Sequence, residues 1–220
     1  MDPIAFEDAR RKMVDGQIRP NRVTDPRLLD AMRRLPRERF LPSAQAPLAY
    51  IDEDIPLGRG RVLMEPMVLA RLVQMARPQP GERVLVVAAG TGYGAAVLAA
   101  CGAEVTALEE DEALLAIARR VLPEFAPRVA LVQGPLAAGW SSGAPWDVIM
   151  VEGAVREIPP AIEGQVRTES GRLVTVLRRP GVTGRAVLAE PSSIGLRAQP
   201  EFDCATPLLP PLEPTPAFTF

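Results

Sequence analysis

A chain of 220 residues, 47% of them hydrophobic and with a formal net charge of -2, is long enough to bury one core and too short for a second full domain. No run approaches the length needed to cross a bilayer, and the start Met1-Asp2-Pro3 is acidic where a secretory signal is basic. Basic charge is almost all arginine, and the overall balance offers nucleic acid no basic face. A cytoplasmic protein that binds neither membrane nor nucleic acid is expected. Histidine is absent, which excludes Ser-His and Cys-His nucleophiles, histidine zinc sites and an imidazole general base. Cys101 and Cys204 form neither a metal-ligand spacing nor a disulfide framework, so no metal centre is predicted and a reducing compartment fits.

In chain order, Ala5 to Gln17 mixes charge with few large apolar residues and predicts an exposed helix. Thr24-Asp25-Pro26 is a helix start, with a capping side chain and a proline in the first turn. Leu28, Leu29, Met32 and Leu35 then share one face, and Pro36 ends the helix. From Arg37 to Glu65 the pattern is irregular and predicts a long connection, of the kind that is usually functional or disordered. Pro66 opens another helix, with Val68, Leu72 and Met75 on one face, which Pro78 and Pro80 stop.

A parallel α/β alternation follows: strand Val84 to Val87, helix Gly94 to Ala100, strand Val105 to Leu108, helix Glu112 to Leu122 and strand Val129 to Val132. Strand Asp147 to Val151, a short helix near Pro160 to Val166 and strand Arg172 to Leu177 continue it. Repeated alternation with short connections predicts a doubly wound sheet with ligands at the carboxyl ends of its strands. Helices cease after Leu177, and Arg185 to Glu190 and Gly195 to Cys204 read as two strands joined by a turn, giving an antiparallel edge. The proline-rich tail Pro207 to Phe220 is expected to lie over the surface.

The stretch Arg83 to Glu110 is the most informative. Val84 to Val87 read as a strand buried on both faces, and Gly90, Gly92 and Gly94 let the backbone turn sharply and lie close to a ligand. Glu109 ends the next strand, where a carboxylate accepts hydrogen bonds from both ribose hydroxyls. A nucleoside-bearing cofactor is implied. Because Gly90-Thr91-Gly92-Tyr93-Gly94-Ala95 also satisfies the G-x-G-x-x-A dinucleotide pattern, this stretch leaves open S-adenosylmethionine, a nicotinamide dinucleotide and a purely structural turn.

Several separated pieces, in order, resemble the protein-L-isoaspartate O-methyltransferase family. They are Thr24-Asp25, Pro36-Arg37-Glu38-Arg39-Phe40, Ala49-Tyr50-Ile51-Asp52, Ile55-Pro56-Leu57-Gly58, the glycine turn, Glu109, Ala144-Pro145-Trp146-Asp147, Ile158-Pro159, Gln165 and Gly171-Arg172-Leu173. The resemblance runs from about Met13 to about Val176 and argues against a dehydrogenase. It implies a Rossmann-like S-adenosylmethionine-dependent methyltransferase fold: a mostly parallel seven-stranded sheet with an antiparallel edge and an N-terminal helical cap. One domain would span 1–220, with cap and substrate-side loop in 1–77 and the doubly wound core in 78–220. It also implies S-adenosyl-L-methionine as cofactor and, as partner, a protein or peptide with an exposed carboxylate such as isoaspartate. Methyl transfer from a sulfonium to a carboxylate needs no base, which suits a chain without histidine.

By the same resemblance, Ala88, Gly90, Gly92 and Tyr93 would approach the methionine part, Glu109 would hold the ribose, and Pro135 and Leu136 would lie at the adenine. The chain departs from the family at Leu63-Met64-Glu65-Pro66, where I-S-Q-P carries a serine implicated in the reaction, and at Val86 and Ala88, where an acid and a glycine are usual. Gly134-Pro135-Leu136 replaces G-D-G. Two carboxylates are added, Glu65 in the cap loop and Glu152 after a strand; both are candidate catalytic residues, with Arg156 a candidate partner for them. A second class, a non-catalytic relative kept as a binding or scaffold module, is motivated by the lost serine and carboxylates. Nucleoside entry requires a pocket not plugged by side chains such as Met64 or Leu136.

Overall fold

The structure, a computed structural model, describes residues 3–213. The helices and the small hairpin that come first are α1 (Pro3–Met13), α2 (Pro26–Arg34), β1 (Ile55–Gly58), β2 (Arg61–Leu63) and α3 (Pro66–Ala76). The sheet and its covering helices follow as β3 (Arg83–Val87), α4 (Tyr93–Ala100), β4 (Glu104–Glu109), α5 (Glu112–Phe125) and β5 (Ala130–Gln133). Then come β6 (Val148–Val155), α6 (Pro160–Glu163), β7 (Arg172–Leu177), β8 (Gly184–Ser192) and β9 (Gly195–Cys204).

The main sheet has seven strands in the order β5-β4-β3-β6-β7-β8-β9. Pairing is parallel from β5 through β7 and antiparallel at β8 and β9, as the loss of helices after Leu177 predicts. Strand alternation divides β3 between two apolar layers: Val84 and Val86 pack with α3, α4 and the N-terminal helices, whereas Leu85 and Val87 pack with Leu136, Trp146 and Ile162. A central strand covered on both faces carries no polar side chain, which is why its sequence is a continuous aliphatic run. The reversal of order beside β3, with β4 on one side and β6 on the other, creates the crevice in which ligands of doubly wound sheets bind.

Local signals act as the sequence implies at α2 and α5. The Asp25 carboxylate accepts from the N–H of Arg27 at 2.9 Å, and that of Asp111 from Ala113 and Leu114 at 2.8 and 3.3 Å. Each satisfies donors that a helix start leaves free.

Three expectations are corrected. The first segment is not an exposed helix throughout: α1 passes into a π-helical turn over Val14–Ile18, and Met13, Val14 and Ile18 are buried against the cap. The irregular connection 37–65 contains the hairpin β1–β2, turned by Gly58-Arg59-Gly60 with Gly58, Arg59 and Gly60 all at positive φ. The tail does not simply lie over the surface. Ala154 exchanges backbone hydrogen bonds with Pro207 and Leu209 at 3.1 and 2.8 Å, and Leu209 is buried where a side chain on Gly153 would collide with it. Residues 214–220 of that tail lie outside the described residues.

Because Leu209 fills space above β6, Leu209→Ala is expected to lower the free energy of unfolding by about 2–5 kcal/mol, the range for truncating a core leucine. A loss below about 0.5 kcal/mol in urea unfolding, as for surface substitutions, would contradict the packing of this segment.

Candidate nucleoside site

The glycine turn and Glu109 meet at the carboxyl ends of β3 and β4. Gly92 adopts φ 92, and its N–H closes the turn on the carbonyl of Ala89 at 2.8 Å. Ala88, which stands where the resembling family has glycine, is held at φ 61, a conformation that costs a residue with a Cβ about 1–2 kcal/mol. Glu109 is completely buried. Its Oε2 accepts from the N–H of Gly90 at 2.7 Å, and its Oε1 from those of Glu110 and Asp111 at 2.9 and 3.0 Å. Three backbone donors therefore fix the carboxylate at the place where a ribose would be held.

A residue that sequence reasoning passed over completes this arrangement. Arg61, on β2, reaches across from the hairpin and forks onto Glu109, Nη1 to Oε1 and Nη2 to Oε2, both at 2.8 Å. The same Nη2 donates to the carbonyl of Ala88 at 3.0 Å. The guanidinium is 4% exposed and the carboxylate 0%. With five donors on one carboxylate, which offers about four lone-pair sites, nothing remains for the two hydroxyls of a ribose. In this conformation the residues do not fit the nucleoside that the glycine turn and Glu109 imply.

The adenine side is closed in the same way. Leu136 is fully buried among Leu108, Trp146 and Ile162, and its N–H donates to Glu110 Oε2 at 3.0 Å. Pro135 supplies no N–H, and the turn Leu136–Ala138 lies beside the tail turn Pro210–Leu212. Met64 is also buried, its carbonyl accepting from Arg37 Nη2 at 2.5 Å. A shallow opening of about 280 Å³, bounded by Arg59, Arg61, Glu110, Asp111, Pro210 and Pro211, reaches the edge of the pair. A larger cavity of about 820 Å³ lies at the opposite end of the sheet, against the first residues of β3, β4 and β5, where strand carboxyl ends are absent.

Beneath the cap sits a second buried polar group. Arg37 is fully buried, its Nε donating to Ala49 O at 2.8 Å and its guanidinium lying 4.9 Å from the centroid of the Tyr93 ring. Tyr93 turns that ring toward the cap, edge-on to Phe40 with centroids 5.3 Å apart. Arg37 Nη1, the Tyr93 hydroxyl and Glu152 Oε2 are all buried without a hydrogen-bond partner among the described residues. Burial pushes the Tyr93 hydroxyl up to about 12 and the Glu152 carboxyl up to about 8, the latter against the opposing pull of Arg37 and Arg61. Glu152 therefore holds its proton well above the ordinary carboxylate range. Its Oε2 stands where a side chain on Gly94 would be.

Glu65 sits apart from this group, at the start of α3. Its N–H donates to Asp54 Oδ1 at 2.7 Å, and partial burial with Asp52, Asp54 and Glu53 nearby raises its carboxyl to about 7. Arg156 is no partner to Glu152 or Glu65: it binds Glu213 at 2.6–3.1 Å on the surface. Gly58-Arg59-Gly60 marks a turn, but the strands beside it are too short to be read, and nothing local indicates that Arg61 meets an acid so far along the chain.

Two outcomes follow from Glu152. The unfolded chain ionises this group near 4.5, whereas the folded protein keeps it protonated until about 8. The folded state therefore holds the extra proton between these values, and stability falls as pH rises through the window. Relative to Glu152→Gln, the wild type should lose stability across it in urea unfolding; parallel pH curves would contradict a buried neutral carboxyl. Gly94→Ala would bring a Cβ within 2.4 Å of Glu152 Oε2, so it should lower the melting temperature although alanine favours a helix by about 1 kcal/mol. Adding Glu152→Ala should recover most of that loss.

Comparison with known proteins agrees with this architecture. The family profile of protein-L-isoaspartate(D-aspartate) O-methyltransferase matches residues 8–185. The chain is 41% identical over 174 residues to a protein-L-isoaspartate O-methyltransferase of Methylorubrum extorquens, covering 79% of this chain and 76% of that one. It is 36% identical over 180 residues to one of Koribacter versatilis, covering 81% of each. Among solved structures, a protein-L-isoaspartate O-methyltransferase superposes with a TM-score of 0.78 at 23% identity, over 93% of this chain and 67% of that one. A Plasmodium falciparum protein described as a putative enzyme of this type, in complex with S-adenosyl-L-homocysteine, superposes with a TM-score of 0.75 at 17% identity, over 91% and 97%. The chain belongs to the protein-L-isoaspartate O-methyltransferase family.

Proposed function

We propose that the protein is an S-adenosyl-L-methionine-dependent methyltransferase that esterifies a protein carboxylate of the isoaspartyl kind. The observation that carries this reading is the Glu109 carboxylate held 2.7 Å from the N–H of Gly90, within a family match over residues 8–185. That is the carboxylate-and-turn pair by which doubly wound sheets hold a nucleoside. Residues 1–220 act as one unit, with 1–77 as cap and 78–220 as core. No helix among the described residues is long and apolar enough to cross a membrane, and a cytoplasmic location fits the free thiols of Cys101 and Cys204.

The chain's own residues divide the work. Three backbone donors orient Glu109, and buried apolar side chains on the two faces of the sheet, Tyr93 and Met64 on one and Leu136 on the other, exclude water around it. Glu152 and Glu65, both holding protons more tightly than an ordinary glutamate, border the acceptor side. Because burial favours its protonated form, Glu152 repels an anionic acceptor less than an ordinary glutamate would. When bound, S-adenosyl-L-methionine supplies the methyl group.

A second reading, a non-catalytic relative, is favoured by Met64 standing where the resembling family has serine and by the saturation of Glu109. Incubation of the full chain with methyl-labelled S-adenosyl-L-methionine separates the two. Label released by base from an isoaspartyl peptide, and none above background in its aspartyl isomer, is the expected result. No transfer to any protein carboxylate would leave the non-catalytic reading.

A further inference from the structure

We infer that Arg61 is an internal stand-in for the nucleoside: it occupies the carboxylate that would hold a ribose, and a nucleoside enters only when the β1–β2 hairpin swings away from Glu109. The inference rests on the reading that this site takes an adenosyl ligand. It is carried by the fork of Arg61 on Glu109 at 2.8 Å in both arms, its third bond to Ala88 O, and the burial of both partners.

Two features make this a latch over a built site rather than a collapsed pocket. First, the N–H groups of Gly90, Glu110 and Asp111 hold the carboxylate independently of Arg61. Removing the guanidinium therefore vacates the two donor positions it fills and leaves an oriented acceptor facing the glycine turn. Second, the arginine comes from a small antiparallel unit of four and three residues, not from the main sheet. Its rim ion pair is of the kind that water replaces at low cost: Arg59 meets Asp111 at 3.2 Å with Arg59 81% exposed. The shallow opening between Arg59, Glu110 and Pro210 already admits solvent to the edge of the pair. Ile55 and Leu63 anchor the base of the hairpin in the core, so the movement is that of its turn end, and so small a unit opens at lower cost than the whole fold.

A ligand that needs the open form binds with an affinity reduced by the fraction of molecules that are open. Calorimetric titration of full-length wild type, Arg61→Ala and Arg61→Gln with S-adenosylhomocysteine tests this. Both variants should bind at least about tenfold more tightly than wild type, the factor for an open fraction of a tenth or less. Arg61→Gln keeps a hydrogen-bond donor for Glu109, and thermal unfolding of each variant establishes that it is folded. Hydrogen exchange gives a second readout: saturating ligand on the wild type should deprotect residues 57–61. Variants that bind no more tightly than wild type, or a hairpin that gains protection on ligand binding, would overturn the latch. Tighter binding by the variants without methyl transfer by any of the three proteins would support the latch and overturn the transferase. Equal binding with transfer would do the reverse, and no binding by any of them at millimolar ligand would overturn both.

Discussion

The contact on which the rest of the site depends is the buried fork between Arg61 and Glu109. A carboxylate withdrawn from water is tolerated only when its oxygens are matched by donors, and here three backbone N–H groups and a guanidinium do so. Removing one partner of such a pair typically costs about 3–5 kcal/mol, whereas a hydrogen bond to a charged group returns about 1.5–3 kcal/mol. Two ribose hydroxyls are thus comparable in strength to the arginine they would replace. The balance between closed and occupied states is set by how freely the displaced guanidinium reaches water, which is a property of the hairpin and not of the pocket.

Neighbouring positions have settled around this closed arrangement. Ala88 holds a left-handed backbone that glycine would adopt without strain, and its carbonyl is one of the groups Arg61 binds. Glu152 projects into space left by the missing side chain of Gly94 and stays neutral there. Leu136 closes the apolar side, with a backbone N–H tied to Glu110. Each change alone breaks a local rule, a Cβ at positive φ or a carboxyl in an apolar layer. Together they form a set in which each is accommodated by another, and such agreement across levels is what a sequence specifying one state shows.

Much of this was legible in the sequence because the responsible forces are local or periodic. The aliphatic run 84–87, the glycine turn and the acid closing β4 are fixed by a strand covered on two faces and by the turn that follows it. The caps at Asp25 and Asp111 act within three residues. What escaped reading is non-local or short. β1 and β2 have four and three residues, one a proline, too few for alternation to stand out. Leu209 reads as part of a proline-rich surface tail until its bond to Ala154 is seen. Arg61 resembles any arginine of a loop, because its meaning lies in a partner beyond two helices and two strands. Glu152 was legible as a carboxylate at the site, but its neutrality was not, since it follows from burial that only the packed fold creates.

The segments that cover the nucleoside end are remote in sequence yet touch one another. The hairpin supplies Arg61, the loop after β5 supplies Leu136, and the tail supplies Leu209 and Pro210, the last lying against Gly60. A side chain at Gly60 would strike Pro210, and the turn 210–212 lies beside 136–138. Movement of the hairpin away from Glu109 therefore frees one side of the tail, and the tail in turn is the neighbour of the loop on the adenine side. Because packed elements are bistable rather than continuously deformable, these contacts couple the ribose and adenine sides into one opening event. Arg61 is the buried charge of that lid, with Arg59 paired to Asp111 at its exposed rim, so the electrostatics of the Arg61–Glu109 pair bear most strongly on access to the crevice between β4 and β6.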